Sequence, residues 1–375
     1  MSRNLRVGIL TGGGDCPGLN AVIRAVGKSL ILRHNAQVIG IENGFEGLIK
    51  RNVRSLDYQD VSGILTLGGT VLGTSNKCDP FNYHASGGAD VSAEVVHNCK
   101  NIGLDAIVAI GGDGTLTIAH QLAMKGLNVV GVPKTIDNDL VATERTFGFD
   151  TAVSIATEAI DRLQTTAQSH QRVMIIETMG RYAGWIALYA GTAGGADIIL
   201  IPEVPYDVDE VIRVCRERER SGQHFTIICI AEGACALGGQ RVAKAHVADS
   251  PDPIRLGGIA NYLAADLRTE LRSEIRTSVL GHIQRGGTPT AYDRNLATAF
   301  GAFAAAMVAR GDFGKMVSLQ NNTLNSVSLT EVAGKNRLVP LDSTMVAAAL
   351  AVGTSFGSAD MRADITDGVS AAAIT

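Results

Sequence analysis

The chain has 375 residues, of which 46% are hydrophobic and 19% charged, and its formal net charge is -4. That length suffices for two substantial cores, and the charge balance carries no nucleic-acid footprint, so any phosphate recognition has to be local. No apolar run reaches membrane-spanning length, the first residues enter a strand without a signal-peptide pattern, and the six cysteines form no Cys-x-x-Cys pair. These features predict a cytoplasmic protein with reduced thiols and no membrane partner.

In chain order, the apolar run Arg6 to Leu10 enters the glycine turn Thr11 to Gly18, and apolar periodicity predicts a helix over Leu19 to Leu32. The same grammar recurs at Asp105 to Ile110, a near-continuous apolar run followed by Gly111-Gly-Asp-Gly-Thr115 and a helical pattern over residues 116–125. A strand, a glycine turn and a helix N-terminus form an anion site, because unpaired backbone N–H groups and the helix dipole face the turn. Taken singly, either loop could be no more than a tight turn.

A third strand, Asn128 to Val132, ends in Pro133-Lys-Thr-Ile-Asp-Asn-Asp139. Two carboxylates that close repel each other in a partly dry pocket unless a cation neutralises them or one carries a catalytic proton. An Asx-rich turn closing the strand is the alternative for this cluster in isolation. Beside two glycine loops, it points instead to a polyphosphate held with Mg²⁺.

A long helical segment, Ser154 to Gln168, then leads to further strands. Arg172 to Glu177 ends in Met179 to Gly184, Asp197 to Ile201 in Pro202 and Glu203, and His224 to Ile230 in Ala231 to Gly233. A final polar strand, Arg276 to Leu280, ends in Gly281 to Gly287. The alternation predicts an α/β fold of two Rossmann-like three-layer lobes, with the active site in the cleft between them, because polar clusters fall at the carboxyl ends of strands.

The ordered motifs TGGGDCPGLNAVIR, GGDGT, PKTIDND, SHQR, ETMGRYAG, PEV and GHIQRGG resemble those of the 6-phosphofructokinases, over about residues 5–310. Lipid kinases and NAD kinases share the GGDGT loop but lack TIDND and GHIQRGG. The resemblance implies transfer of the ATP γ-phosphoryl group to the 1-hydroxyl of fructose 6-phosphate. It also implies a phosphoryl-donor lobe of residues 1–148 plus about 284–335, and a sugar-phosphate lobe of residues 149–283 plus about 336–375.

By the same resemblance, Asp137 takes the hydroxyl proton, Asp139 orders the hydroxyl or metal, and Thr135 holds the transferring group. Asp113 is the Mg²⁺-binding carboxylate, and Arg181 stabilises the charge that develops in transfer. Donor-binding positions are Gly13, Gly14, Asn76, Lys77, Gly112, Asp113, Gly114, Thr115 and Lys134. The sugar phosphate falls to Arg172, Met179, Gly180, Arg276, His282 and Arg285, with Glu232 on the sugar hydroxyls. Arg172 and Arg276 reach across a subunit boundary in the family, which implies a homo-oligomer, dimer or tetramer.

The donor is the point of departure from a simple match. Pyrophosphate-using members carry an aspartate where this chain has Gly114, and glycine leaves room for the α-phosphate, so ATP is the expected donor. Lys134, however, matches the pyrophosphate users, Asn76 replaces an arginine common in ATP users, and Ile118 stands where a glycine often admits adenine. Pyrophosphate is therefore the alternative, and a noncatalytic regulatory paralogue a remote one. At the effector site of the allosteric bacterial members, Arg24 remains and Lys28 replaces an arginine. Tyr58, Gln164, Ser221 and Gln223 stand at four further cationic positions, so effector regulation is expected to be absent. The segment 234–252 is longer than in compact members and reads equally as an arm or a loop.

Overall fold

The computed structural model describes residues 4–246 and 254–361. In chain order these form β1 (Arg6–Thr11), α1 (Leu19–His34), β2 (Gln37–Ile41), α2 (Phe45–Lys50), β3 (Val53–Leu56), α3 (Ser92–Ile102), β4 (Ala106–Gly111), α4 (Asp113–Met124) and β5 (Val129–Pro133). There follow α5 (Phe149–His170), β6 (Val173–Thr178), α6 (Trp185–Ala193), β7 (Ile198–Leu200), α7 (Val208–Arg220), β8 (Thr226–Ala231), β9 (Ala243–His246) and β10 (Ile254–Leu256). The chain closes with α8 (Ile259–Arg268), β11 (Ile275–Val279), α9 (Ala291–Arg310), β12 (Lys315–Gln320), β13 (Thr323–Ser328), α10 (Leu329–Val332) and α11 (Thr344–Ala351).

Two sheets carry the fold. The larger has the order β13-β12-β5-β4-β1-β2-β3, parallel except for the edge strands β3 and β13. The smaller is wholly parallel, in the order β11-β6-β8-β7. β4, β5, β6 and β8 are buried along their whole length, as continuous apolar runs must be when helices cover both faces of a parallel sheet. The chain returns to the larger sheet after α9, which packs along α1, while α11 lies against α6 beside the smaller one.

Local detail departs from the expected bounds where caps intervene. The fifth helix begins at Phe149, five residues before the expected Ser154, because Gly148 adopts a left-handed φ of 95° and lets the chain turn directly into helix. The fourth begins at Asp113 rather than residue 116, so the last three of the five GGDGT residues are already helical and the carboxylate sits in the first turn. Of the segment 234–252, the described part includes β9, which pairs antiparallel with β10 as a two-stranded ribbon; residues 247–252 lie outside the described residues. No helix among the described residues is long and apolar enough to cross a membrane.

Candidate active site

The residues expected on the donor side lie on several loops. Gly13 donates its N–H to Ser75 O at 3.2 Å and accepts from Thr74 Oγ1 at 2.6 Å, which fixes the first glycine turn against the loop bearing the exposed Asn76 and Lys77. At the second, Gly112 precedes α4, Thr115 is buried, and Asp113 Oδ1 accepts from Gly334 N at 2.9 Å. Burial pushes the Asp113 carboxyl up, against the pull of that N–H and of the Thr117 hydroxyl. A Cβ added at Gly114 would meet no atom within 4 Å, so the absence of a side chain there is not imposed by packing.

Lys134 leaves the end of β5 and turns its amine inward to Gly14 O. Only 4% exposed, it has its pKa pulled down chiefly by burial. Cys16, beside it, donates to Phe147 O, and burial pushes its thiol up to about 12, which leaves it without nucleophilic character.

The turn after β5 is folded on its own polar groups. Thr135 Oγ1 accepts from Asp137 N at 3.0 Å, Thr146 Oγ1 donates to Thr135 O at 2.7 Å, and Asn138 Oδ1 accepts from Thr146 N at 3.1 Å. Asn138 itself takes a left-handed φ of 52°, a conformation Asn tolerates better than most residues. Asp137 is 4% exposed, and among the described residues no donor reaches its Oδ1. Asp139 is pushed up to about 7 by burial and then by the Asp137 charge, with Arg181 opposing.

Arg181 enters from the smaller sheet, on the loop after β6, also with a left-handed φ of 52°. Its N–H donates to Glu232 Oε1 at 3.2 Å. Burial, followed by the Asp137 charge, pushes Glu232 up to about 7. Gly233, next along, is so close to this loop that a Cβ would meet Arg181 O at 1.9 Å. Met179 and Gly180 line the same loop, both buried. Asp113, Asp137, Asp139, Arg181 and Glu232 thus belong to one electrostatic cluster at the carboxyl ends of both sheets.

The residues expected on the sugar phosphate divide. Arg285 joins the cluster: its Nη1 donates to Asp15 O at 3.1 Å and passes where a side chain at Gly14 would sit. His282 is exposed on a short 3₁₀ turn, Gly281–Arg285. Arg172 and Arg276 are not brought to the cluster of their own chain. They sit at the amino ends of β6 and β11, opposite the end that carries Met179 and His282, and both pair with Glu274.

Sequence reasoning missed several contributors. Glu177 and Glu203, within two recognised motifs, serve backbone: Glu177 accepts from Gly258 N and Ala260 N at the start of α8, and Glu203 from Gly184 N and Val339 N. Gly334 and Arg337 lie beyond the motif-bearing region and carry no local signal. Nothing in a polar loop at that distance announces a contact with Asp113 or Asp139.

The family model for phosphofructokinase matches residues 6–308. This chain belongs to the phosphofructokinase family. ATP-dependent 6-phosphofructokinase 2 of Clostridium perfringens is 52% identical over 358 residues, covering 94% of this chain and 98% of that protein. The pyrophosphate-fructose 6-phosphate 1-phosphotransferase of Amycolatopsis methanolica is 50% identical over 336 residues, covering 90% and 96%. Among solved structures, Pichia pastoris phosphofructokinase in the T-state aligns with a TM-score of 0.77 at 30% identity, over 88% of this chain, which spans 38% of that longer one.

The residues of this cluster also fit Mg²⁺. Among the described residues no group of three or more His, Cys, Asp or Glu side chains forms a protein cage. Mg²⁺ is ordinarily held by one or two carboxylates together with substrate phosphates and water, and Asp113 with the buried, unpartnered Oδ1 of Asp137, both near enough for their charges to act on Asp139, offers hard oxygens of that kind.

Proposed function

We propose that this chain is an ATP-dependent 6-phosphofructokinase of glycolysis, converting fructose 6-phosphate and ATP to fructose 1,6-bisphosphate and ADP. The observation that carries the reading is Asp137: a buried carboxylate with a free acceptor oxygen, whose charge acts on Asp139 together with those of Asp113 and Arg181. Asp137 accepts the proton of the 1-hydroxyl as that oxygen bonds to the γ-phosphorus and the bond to the ADP oxygen breaks. An aspartate is a weak base at neutral pH, and it suffices because phosphoryl transfer depends mainly on positioning and charge neutralisation. Arg181 supplies planar paired donors to the charge growing on the transferred group, and Thr135 holds that group at the start of the turn. When bound at Asp113, Mg²⁺ would neutralise the donor phosphates. Asp139 orders the hydroxyl or the metal beside Asp137.

Gly13, Gly14, Gly112 and Thr115 frame the donor phosphates, with Asn76 and Lys77 at their rim. Open space at Gly114 supports a donor with an α-phosphate. Pyrophosphate is the second reading, favoured by one observation: Lys134 directs a buried amine to the first glycine loop, where it would neutralise a compact diphosphate. Met179, Gly180, His282, Arg285 and Glu232 form the sugar-phosphate side, and Arg172 and Arg276 complete a neighbouring subunit's site in a homo-oligomer. Retention of Asp113, Thr135, Asp137 and Arg181 speaks against a noncatalytic paralogue.

Purified protein assayed with fructose 6-phosphate and Mg²⁺, against ATP, ADP and pyrophosphate in turn, tests the reading. Turnover is expected to be greatest with ATP. Faster turnover with pyrophosphate reverses the donor, and none with any donor removes the catalytic assignment.

A further inference from the structure

The segment after α10 is in contact with both carboxylate loops. Gly334 N donates to Asp113 Oδ1 at 2.9 Å and to Thr117 Oγ1 at 3.0 Å. Asn336 forms a bridge with Leu140. One residue on, Arg337 N donates to Asp139 O at 2.6 Å. The Arg337 guanidinium spans the turn from the same side, with Nη2 donating to Asn138 O at 2.9 Å and to Glu144 O at 3.0 Å, and Nε reaching Asn138 O at 3.3 Å.

The guanidinium is itself held. It lies 4.6 Å from the centroid of the Trp185 ring, at the start of α6, and the Trp185 Nε1–H donates to Arg337 O at 3.0 Å. A planar fork stacked on an indole has little freedom left, so it fixes the two carbonyls it grips. Those carbonyls flank the part of the turn that needs fixing, because Ala142 has a left-handed φ of 61° that alanine rarely adopts. Such conformations persist only where surrounding contacts over-determine them.

We propose that Arg337 is a positioning residue for phosphoryl transfer, and that residues 334–337 act as a strap setting the catalytic turn 135–146 in register with Asp113. The hydrogen bonds that Arg337 donates go to main-chain oxygens on either side of Asp139 and at Asp139 itself, so it acts through the backbone of the turn. The inference rests on the proposed phosphofructokinase activity only for its kinetic consequence.

Two readouts test it. Arg337→Met keeps the stem packing and removes every side-chain donor. In hydrogen exchange, peptides spanning 135–146 are expected to exchange at least about ten-fold faster, with β4, β5 and β6 unchanged, because the turn opens locally while the sheets stay closed. In the assay, kcat is expected to fall about 10- to 100-fold with both KM values within about two-fold, the scale of a misplacement near 1 Å. Arg337→Lys, which keeps the charge but not the fork, should show the same pattern at smaller amplitude and serves if the methionine variant fails to fold. Unchanged exchange in 135–146, exchange accelerated throughout the chain, or unchanged kcat each overturns the proposal. If the wild-type chain shows no phosphoryl transfer, the proposed activity fails, and the exchange arm alone decides the strap.

Discussion

Asp293 Oδ2 accepts two hydrogen bonds from Thr151, one from the backbone N–H at 2.8 Å and one from the hydroxyl at 2.6 Å. The two residues stand in the first turns of α9 and α5, and Thr290 Oγ1 returns a bond to Asp150 Oδ2 at 2.6 Å. Each helix start therefore satisfies donors of the other, and two N-termini from different parts of the chain are locked side by side.

This tie has a pH signature. Burial raises the Asp293 carboxyl from 3.8 to about 6, with the Thr151 donors opposing. A carboxyl with a raised folded-state pKa contributes stability that is fully present below its unfolded value and is lost as pH rises through the folded one. Between pH 4 and pH 7 the loss is up to about 3 kcal/mol. Asp293→Asn cannot ionise, so its stability relative to wild type should improve by up to that amount over this window, read as the shift in urea midpoint at each pH. A constant difference across the window would contradict the assignment.

Asp137→Ala should lower kcat by roughly 10² to 10⁴-fold, with substrate affinity largely retained, as expected on loss of a general base. Single-turnover and binding measurements separate the two effects. An unchanged kcat would remove Asp137 from the chemistry.

Gly114→Asp should reduce kcat/KM with ATP by about 100-fold, the scale of a like-charge encounter of a few kcal/mol, while leaving pyrophosphate turnover within a few-fold. The position is exposed, in the first turn of α4, and empty around its Cβ, so the melting temperature should move by no more than about 2 °C. Equal losses with both donors would show that the new carboxylate does not face the nucleotide's extra phosphate.

Effector control should be absent. Lys28, one of the cations remaining at the matching positions, has its amine 4.0 Å from the centroid of the Tyr58 ring, and Tyr58 occupies one of the four replaced positions. A cation engaged with an aromatic face and short of its former neighbours holds a polyanion weakly. Saturation by fructose 6-phosphate should be near hyperbolic, and millimolar ADP or phosphoenolpyruvate should leave half-saturation unmoved. A several-fold shift without competition at the active site would show that the effector site survives.

Alternating apolar runs and glycine turns were enough to read the strand ends, and with them the edge where Asp113, Asp137 and Arg181 meet. That legibility has a physical source, since a buried parallel strand must be apolar throughout and the turn after it must be polar or glycine. The rest is non-local. Thr151 and Asp293 are 142 positions apart and Gly334 and Asp113 221, so neither contact falls within a local window. Glu177 and Glu203 were visible as motif members, but their use in holding backbone depends on where α8 and the irregular segment at Val339 arrive in space. Arg172 and Arg276 open the strands that Met179 and His282 follow, so their place at the opposite end was legible in linear order, whereas their shared pairing with Glu274 was not.

The approach of Gly233 to Arg181 also bears on how this sequence can be changed. Any side chain at position 233 would displace the carbonyl of a residue 52 positions away, so 181 and 233 form a single unit of design. A library that varies Arg181 alone samples only replacements that accept its left-handed backbone, whereas one that varies Gly233 alone scores damage at Arg181. New chemistry at that corner of the cleft has to come from the side chain at 181, with 233 kept as glycine.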